Sequence, residues 1–258
     1  MWTFAHFITL VPALIIYIAI AWGIGKLFKN KDEKIRLIPI HIITGLITVL
    51  EIIKQVRSLV MGYDLGDLPF YYCSLFLYLY PVVSLYRGKN KNSFRTLAFV
   101  SGMTLLGVML VMPEMVYSKG NIDNFFVDFG DFHTVIFHNL VLLGTFLLLS
   151  LGFVKVDLKR DLLVVFIFYT TYCVIAAPMA NLLGQNYNHF SRNGLAAIEN
   201  LRLSWINSLG QLFGQSLYVL CDFIITVGFS IVVYLLFVFV RNLVIDFKEK
   251  HGLNKNEK

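Results

Sequence analysis

Long apolar stretches alternate with short polar segments along most of the chain. Each stretch approaches the roughly 20 residues that an α-helix needs to cross a bilayer. The pattern therefore predicts an all-α integral membrane protein, with seven transmembrane helices forming a single domain over residues 1–258. The predicted spans cover approximately residues 4–28, 36–62, 68–86, 94–118, 131–154, 160–184 and 215–240.

The third span begins with an aromatic segment that carries a cysteine, Leu68-Pro69-Phe70-Tyr71-Tyr72-Cys73-Ser74. Asp67 can serve as an N-cap, and Pro69 suits the first turn of a helix because no backbone donor is lost there. A helix starting at this point places Cys73 roughly 7.5 Å inside its end, at 1.5 Å per residue. The thiol is then expected between the lipid and the water edge.

The charges of the connecting loops alternate along the chain. Cytoplasmic loops of membrane proteins carry an excess of Lys and Arg, so the alternation predicts an amino terminus outside and a carboxyl terminus inside. The basic segments are Lys29 to Arg36, Arg87 to Arg95, Lys155 to Arg160 and the tail from Arg241, and the acidic ones hold Asp64, Asp67, Glu114, Asp123, Asp128 and Asp131.

The segment before the last span has its own periodicity. Apolar residues recur at three- and four-residue steps, which predicts an amphipathic helix near residues 195–213. One interpretation places this helix on the outer leaflet, and the other packs it over the bundle as a lid. The apolar positions are Ile198, Leu201, Trp205, Leu209 and Leu212.

Composition narrows the possible functions. The chain is 57% hydrophobic and 15% charged, which excludes a soluble single domain, and its three cysteines suggest no disulfide framework. The net charge of +6 arises from loops between spans, so it indicates membrane orientation and not nucleic-acid binding. We expect a multi-pass protein of a cell membrane, in bacteria the cytoplasmic membrane, without cofactor or metal.

Ionisable residues inside the second span are functional candidates, because such residues are costly in a membrane. Glu51 and Lys54 are one turn apart and can form a structural ion pair. Alternatively, they are the coupling or ligand pair of a small-solute permease or of a substrate-binding membrane subunit. Arg57 can snorkel to the headgroups or hold a phosphate in a forked contact.

The fifth span contains two histidines, His133 and His138. They are five residues apart and therefore point about 140° away from each other, which argues against a metal site on this helix. One is expected to face the interior and the other to meet water. Polar residues of six spans converge on one level in the outer half of the bundle: Arg57, Cys73, Glu114, His138, Asn181 and Asp222.

A cysteine and a histidine at the same depth in the membrane can act together in nucleophilic catalysis. The thiolate is a nucleophile, the imidazole takes its proton, and an acid or amide orients the imidazole. We interpret Cys73 and His138 as candidate catalytic residues. The candidate substrate-binding residues are Arg57, Glu114, His133, Asn181 and Asp222.

Several short motifs resemble a known family. They are Leu68-Pro69 with Cys73-Ser74, then Met112-Pro113-Glu114, Phe132-His133 with Phe137-His138, and Asn186-Tyr187-Asn188. These motifs resemble the YwaF-type integral membrane family, which is similar to the transmembrane protein 164 acyltransferases and distantly similar to the androgen-induced-type lipid hydrolases.

The resemblance implies a lipid acyl-chemistry enzyme in the membrane plane, with Cys73 as nucleophile and His138 as base. It also implies a histidine two residues before the cysteine, where this chain has Tyr71. The leading hypothesis is an acyltransferase or lipase-like hydrolase that acts on membrane phospholipid. The permease and a non-catalytic scaffold are the alternatives, and the sequence leaves the oligomeric state open.

Overall fold

The computed structural model describes residues 3–250, and its regular elements are all helices. The predicted fold class, an all-α membrane protein, is confirmed. In chain order the α-helices are α1 (Phe4–Phe28), α2 (Glu33–Arg36), α3 (Ile38–Val60), α4 (Phe76–Leu85), α5 (Lys91–Val111), α6 (Glu114–Tyr117), α7 (Lys119–Asp123), α8 (Phe129–Ser150), α9 (Leu158–Leu182), α10 (Ala196–Leu209) and α11 (Gln211–Lys250).

Six helical segments in the described part of the chain are long and apolar enough to cross a membrane, where the sequence predicts seven. They correspond to α1, α2 joined with α3, α5, α8, α9 and α11. The predicted span at residues 68–86 is instead a short 3₁₀ turn, Tyr72–Leu75, followed by α4. At 1.5 Å per residue the 10 residues of α4 reach roughly 15 Å, about half of the hydrocarbon core.

The helix expected from Asp67 onward does not form because of local backbone preferences and tertiary contacts. A residue before proline is restricted to extended conformations, and Leu68, with ψ 140°, adopts one. The Tyr172 hydroxyl of α9 then donates a hydrogen bond to the Phe70 carbonyl at 2.9 Å. Asp67 ends a 3₁₀ turn, Leu65–Asp67, and does not cap a transmembrane helix.

Helix α8 occupies the centre of the bundle, where it packs against α1, α3 and α5. Two glycines permit its close contacts. A Cβ at Gly102 of α5 would lie 1.8 Å from Thr145 Oγ1, and one at Gly144 would lie 2.5 Å from the Tyr80 hydroxyl. Small residues at these crossings let the helices approach closely, as is common in membrane bundles.

We expect Gly102→Ala to lower the midpoint of thermal unfolding. The added methyl group overlaps the buried Thr145 side chain, and overpacking of this kind costs roughly 1–3 kcal/mol. Gly228→Ala is the matched control, since nothing lies within 4 Å of a Cβ at that position of α11. Thermal denaturation of both variants in the same detergent gives the comparison. Equal midpoints would contradict the close contact between Gly102 and Thr145.

Helices α9 and α11 are joined near the first turn of α9 by a buried carboxylate. Asp161 is 1% exposed. Its Oδ2 accepts hydrogen bonds from the Tyr234 hydroxyl at 2.6 Å and from the Asp157 backbone N–H at 2.8 Å. Its Oδ1 accepts one from Arg160 Nε at 2.7 Å. Every oxygen of this side chain therefore has a partner, as a buried charge requires.

The amphipathic segment near residues 195–213 forms α10, which packs back against α11. Polar side chains join the two helices, since Arg202 Nη1 donates to Gln215 Oε1 at 2.8 Å and Arg202 Nε donates to Glu199 Oε2 at 2.9 Å. Leu201 and Leu209 are half exposed. Both placements of this helix, on the outer leaflet and over the bundle as a lid, stay predictions.

The orientation of the bundle stays a prediction, and loop cysteines can test it. In a chain whose native cysteines are replaced, Gly194→Cys should react with an impermeant thiol reagent on intact cells. Lys89→Cys, which is also exposed but lies in a basic loop, should react only after lysis. The opposite labelling pattern would reverse the orientation.

Candidate active site

A cavity of about 630 Å³ opens where α3 ends and α8 begins. Residues of α3, the segment that leads to α4, the ends of α5 and α6, and the first turns of α8 form its walls. One part is ionic and the other apolar. The polar lining includes Glu51, Lys54, Arg57, Asp67, Tyr71, Cys73, His133 and His138, and the apolar lining includes Leu105, Val108, Met109, Val116 and Phe137.

Cys73 lies in the 3₁₀ turn before α4 and is half buried at the cavity wall. Glu51 and Lys54 of α3 are close enough to act on it electrostatically. No hydrogen bond joins Cys73 to a histidine within residues 3–250. Cys73 and His138 face the same cavity from different walls, Cys73 from the segment before α4 and His138 from α8.

His138 has a defined tautomer. Its Nδ1 lies 2.6 Å from the Thr134 carbonyl oxygen, one turn earlier in α8. A carbonyl only accepts hydrogen bonds, so Nδ1 carries the proton and Nε2 keeps its lone pair. An imidazole in this state can accept a proton at Nε2.

Both histidines of α8 line the cavity, although they point about 140° apart around the helix. The cavity follows a stripe of α8 that includes Gly130, His133, Thr134, Phe137 and His138, and this stripe is wide enough to contain both rings. The His133 ring stacks on Phe137 with ring centroids 5.4 Å apart. His133 is 8% exposed, whereas His138 is half buried.

The pair predicted within α3 is part of a larger ionic network. Lys54 Nζ is 3.9 Å from Glu51 Oε1 but 3.4 Å from Asp67 Oδ1, in the segment that leads to Cys73. Glu51 Oε1 accepts a closer hydrogen bond from Gln55 Nε2, at 2.7 Å, and Glu51 Oε2 lies 3.4 Å from His133 Nε2. The network thus ties three walls of the cavity together.

Arg57 lines the cavity at its rim. Its Nη2 is 3.3 Å from Asp128 Oδ2, and its guanidinium lies 5.7 Å from the centre of the Phe129 ring. The Asp131 backbone N–H, aided by Arg57, holds the pKa of the Asp128 carboxyl below its usual value, so this partner stays ionised. Arg57 is about 39% exposed at its side chain, which leaves room for a second anion.

Three of the predicted substrate-binding residues do not line this cavity. Glu114 is exposed at the first position of α6. Asn181 Nδ2 donates to the Ala177 carbonyl at 2.8 Å and to the Phe190 carbonyl at 3.3 Å, so it holds the loop after α9. Asp222 lies on α11, where its Oδ2 is buried without a hydrogen bond. A shared depth in the membrane does not bring residues to one site, because each can lie on a different helix face.

The sequence interpretation missed three contributors to the site. Gln55, Asp67 and Tyr71 were not assigned a binding role, yet Gln55 orients Glu51 and the other two line the cavity. The four-residue spacing of Glu51 and Gln55 on one helix was an available signal. The position of Tyr71 depends on its edge-on contact with Tyr187, whose ring centroid is 5.3 Å away.

The profile of the TMEM164 family matches residues 1–232. The chain belongs to the TMEM164 family. The resemblance to the transmembrane protein 164 proteins is thus confirmed, while the YwaF-type label stays a prediction. No curated protein and no solved structure gave a significant match.

Family membership and the six apolar helices together identify a polytopic membrane protein of the TMEM164 family. Within residues 3–250, no group of three or more His, Cys, Asp or Glu side chains is arranged to hold a metal ion.

Proposed function

We propose that this TMEM164-family protein is a membrane-embedded acyltransferase or lipid hydrolase that works through an acyl-cysteine intermediate. The observation that carries the proposal is the shared cavity: Cys73 and His138 face it from different walls, and the His138 tautomer leaves Nε2 as a proton acceptor. Membership of the TMEM164 family adds support.

The proposed reaction has two halves. In the first, the Cys73 thiol gives its proton to His138 Nε2 while the sulfur attacks the carbonyl carbon of a lipid ester. The ester C–O bond then breaks, and the leaving alkoxide takes the proton back from the imidazolium. In the second, an acceptor hydroxyl or water attacks the thioester carbon and the C–S bond breaks. The acceptor receives the acyl group, and the cysteine regains a proton.

Membrane phospholipid is the substrate class that suits the lining of the cavity. The apolar wall at Leu105, Val108 and Met109 can take an acyl chain, and Arg57 at the rim can contact a phosphate. Arg57 is already paired with Asp128, so a phosphate would share or replace that contact. We place the protein in a cell membrane, in bacteria the cytoplasmic membrane, where both donor and acceptor lipids are present.

The proposal can be tested with the full chain in vesicles that contain phosphatidylethanolamine labelled in its acyl chains. We expect lysolipid release together with a hydroxylamine-sensitive acyl label on Cys73. Cys73→Ser should remove both signals. Cys221→Ser is the matched control, since Cys221 is also a half-buried cysteine but lies on α11, and it should keep both.

Two results would count against acyl chemistry at Cys73. One is lipid turnover that survives Cys73→Ser, and the other is the absence of any acyl label in the folded wild-type protein. Either would leave the permease, with Glu51 and Lys54 as its ionic groups, as the better interpretation.

A further inference from the structure

A second proton-carrying pair borders the same cavity and has no part in the reaction described so far. Glu51 of α3 and His133 of α8 have side chains only 14% and 10% exposed, with Oε2 and Nε2 3.4 Å apart. His133 Nε2 is completely buried and makes no hydrogen bond of good geometry. A buried imidazole nitrogen without such a bond, next to a carboxylate, requires an explanation.

The carboxylate of this pair is held in place by its neighbours. Glu51 Oε1 accepts a hydrogen bond from Gln55 Nε2 at 2.7 Å, and Lys54 Nζ lies 3.9 Å away. Glu51 Oε2 is therefore directed at His133. The ring itself is fixed by stacking on Phe137 and by contact with Phe129, whose centroid is 6.0 Å away.

The other ring nitrogen of His133 is the one available for chemistry. Within residues 3–250, Nδ1 makes no hydrogen bond, and the ring that carries it lines the cavity. An imidazole with a carboxylate at one nitrogen and the other nitrogen open is the arrangement of a general base. The carboxylate stabilises the imidazolium that forms when the base accepts a proton.

A reaction through a thioester needs a base in both halves. The base takes a proton from the thiol in the first half and from the hydroxyl that receives the acyl group in the second. The two histidines are separated by about 7.5 Å along α8 and by about 140° around it, so they can serve two groups at different places in the cavity. We propose that His133, oriented by Glu51, is the base that activates the acyl acceptor, whereas His138 serves Cys73. This inference rests on the proposed function.

In the second half-reaction, the acceptor O–H gives its proton to His133 Nδ1 as the acceptor oxygen attacks the thioester carbon. The C–S bond breaks, and the electron pair stays on the Cys73 sulfur. The proton on His133 returns to this thiolate through the cavity, which restores the starting state. Glu51 remains ionised throughout and acts as a positioning residue.

The two halves can be separated with p-nitrophenyl decanoate and the full chain in lipid nanodiscs. Acylation of Cys73 releases a burst of p-nitrophenolate, and hydrolysis of the thioester by water sets the later steady rate. We expect His133→Ala to keep the burst and to lower the steady rate by about 10² to 10⁴-fold, the usual contribution of a general base. Acyl-Cys73 should accumulate and be detectable by intact mass.

Further variants distinguish catalysis from a merely structural contact between α3 and α8. After subtraction of the rate at which imidazole itself hydrolyses the ester in protein-free nanodiscs, added imidazole should raise the steady rate of His133→Ala but not that of Cys73→Ser. Glu51→Gln, which keeps the shape but removes the charge, should also retain the burst and lower the steady rate. His41→Ala is the histidine control, because His41 contacts the Ser84 carbonyl at 3.0 Å and does not line the cavity.

The outcomes separate this inference from the function on which it rests. An unchanged steady rate in His133→Ala, or a lost burst that imidazole does not restore, would overturn the role of His133 while the Cys73 chemistry stands. A wild-type protein without a burst that depends on Cys73 would instead overturn the proposed function, and the role of the pair with it.

Discussion

Replacing His138 with alanine is expected to slow the acylation of Cys73 by about 10² to 10⁴-fold. In the proposed reaction the imidazole takes the thiol proton at Nε2, since Nδ1 donates to the Thr134 carbonyl. The rate is measured as the appearance of acyl-Cys73 by intact mass after mixing with a labelled phospholipid. Thr134→Val is the matched control, since it keeps the carbonyl that orients the ring.

Acylation in this experiment should be confined to one cysteine. Cys173 is 3% exposed in the apolar core, and Cys221 lies on α11 away from the cavity. A buried thiol without a nearby base behaves as a small apolar side chain. Rapid acylation of His138→Ala, or equal acylation of the other two cysteines, would contradict the assignment of His138 as the base.

The largest effect on stability is expected from Asp161→Ala. The change removes the acceptor for the buried Tyr234 hydroxyl, for the Asp157 backbone N–H and for Arg160 Nε, although Arg160 keeps its hydrogen bond to the Lys155 carbonyl. Each buried donor left unsatisfied costs about 1–3 kcal/mol. The variant should lose its folded, monodisperse form at a clearly lower temperature than the wild type, as followed by size-exclusion chromatography after heating.

Tyr234→Phe provides the comparison for this experiment. It removes one hydrogen bond but leaves Asp161 bound to Arg160 and the backbone, so a smaller loss of about 0.5–1.5 kcal/mol is expected. If the two variants melted at the same temperature, the carboxylate would not be the centre of the contact between α9 and α11.

The membrane helices could be predicted from the sequence because a bilayer requires apolar runs of a defined length. The prediction failed at residues 68–86, where the run is apolar but its first residues cannot form a helix. Pro69 restricts Leu68, and Tyr172 of α9 holds the Phe70 carbonyl. The first effect is local and could have been predicted from the sequence. The second depends on a residue about a hundred positions away in the chain.

The candidate site was predictable in part for a related reason. Counting residues from the end of a helix gives the depth of a side chain in the membrane. This depth identified Arg57, Cys73 and His138, which all line one cavity. It does not tell which face of a helix meets which neighbour. Asn181 and Asp222 therefore fell outside the cavity, and the contact between Glu51 and His133 could not be foreseen before α3 and α8 were known to pack together.

The shortened helix at residues 72–85 has a consequence for hydration. The backbone of Leu68 to Tyr71 lies outside any helical hydrogen-bond ladder. At membrane depth, irregular backbone is tolerated only where protein covers it or where it lines a water-filled cavity. Tyr172 covers the Phe70 carbonyl, and the cavity borders Tyr71 and Cys73. Under the proposed acyl chemistry, an acyl chain that enters this cavity would displace water from beside Cys73, which would favour transfer over hydrolysis.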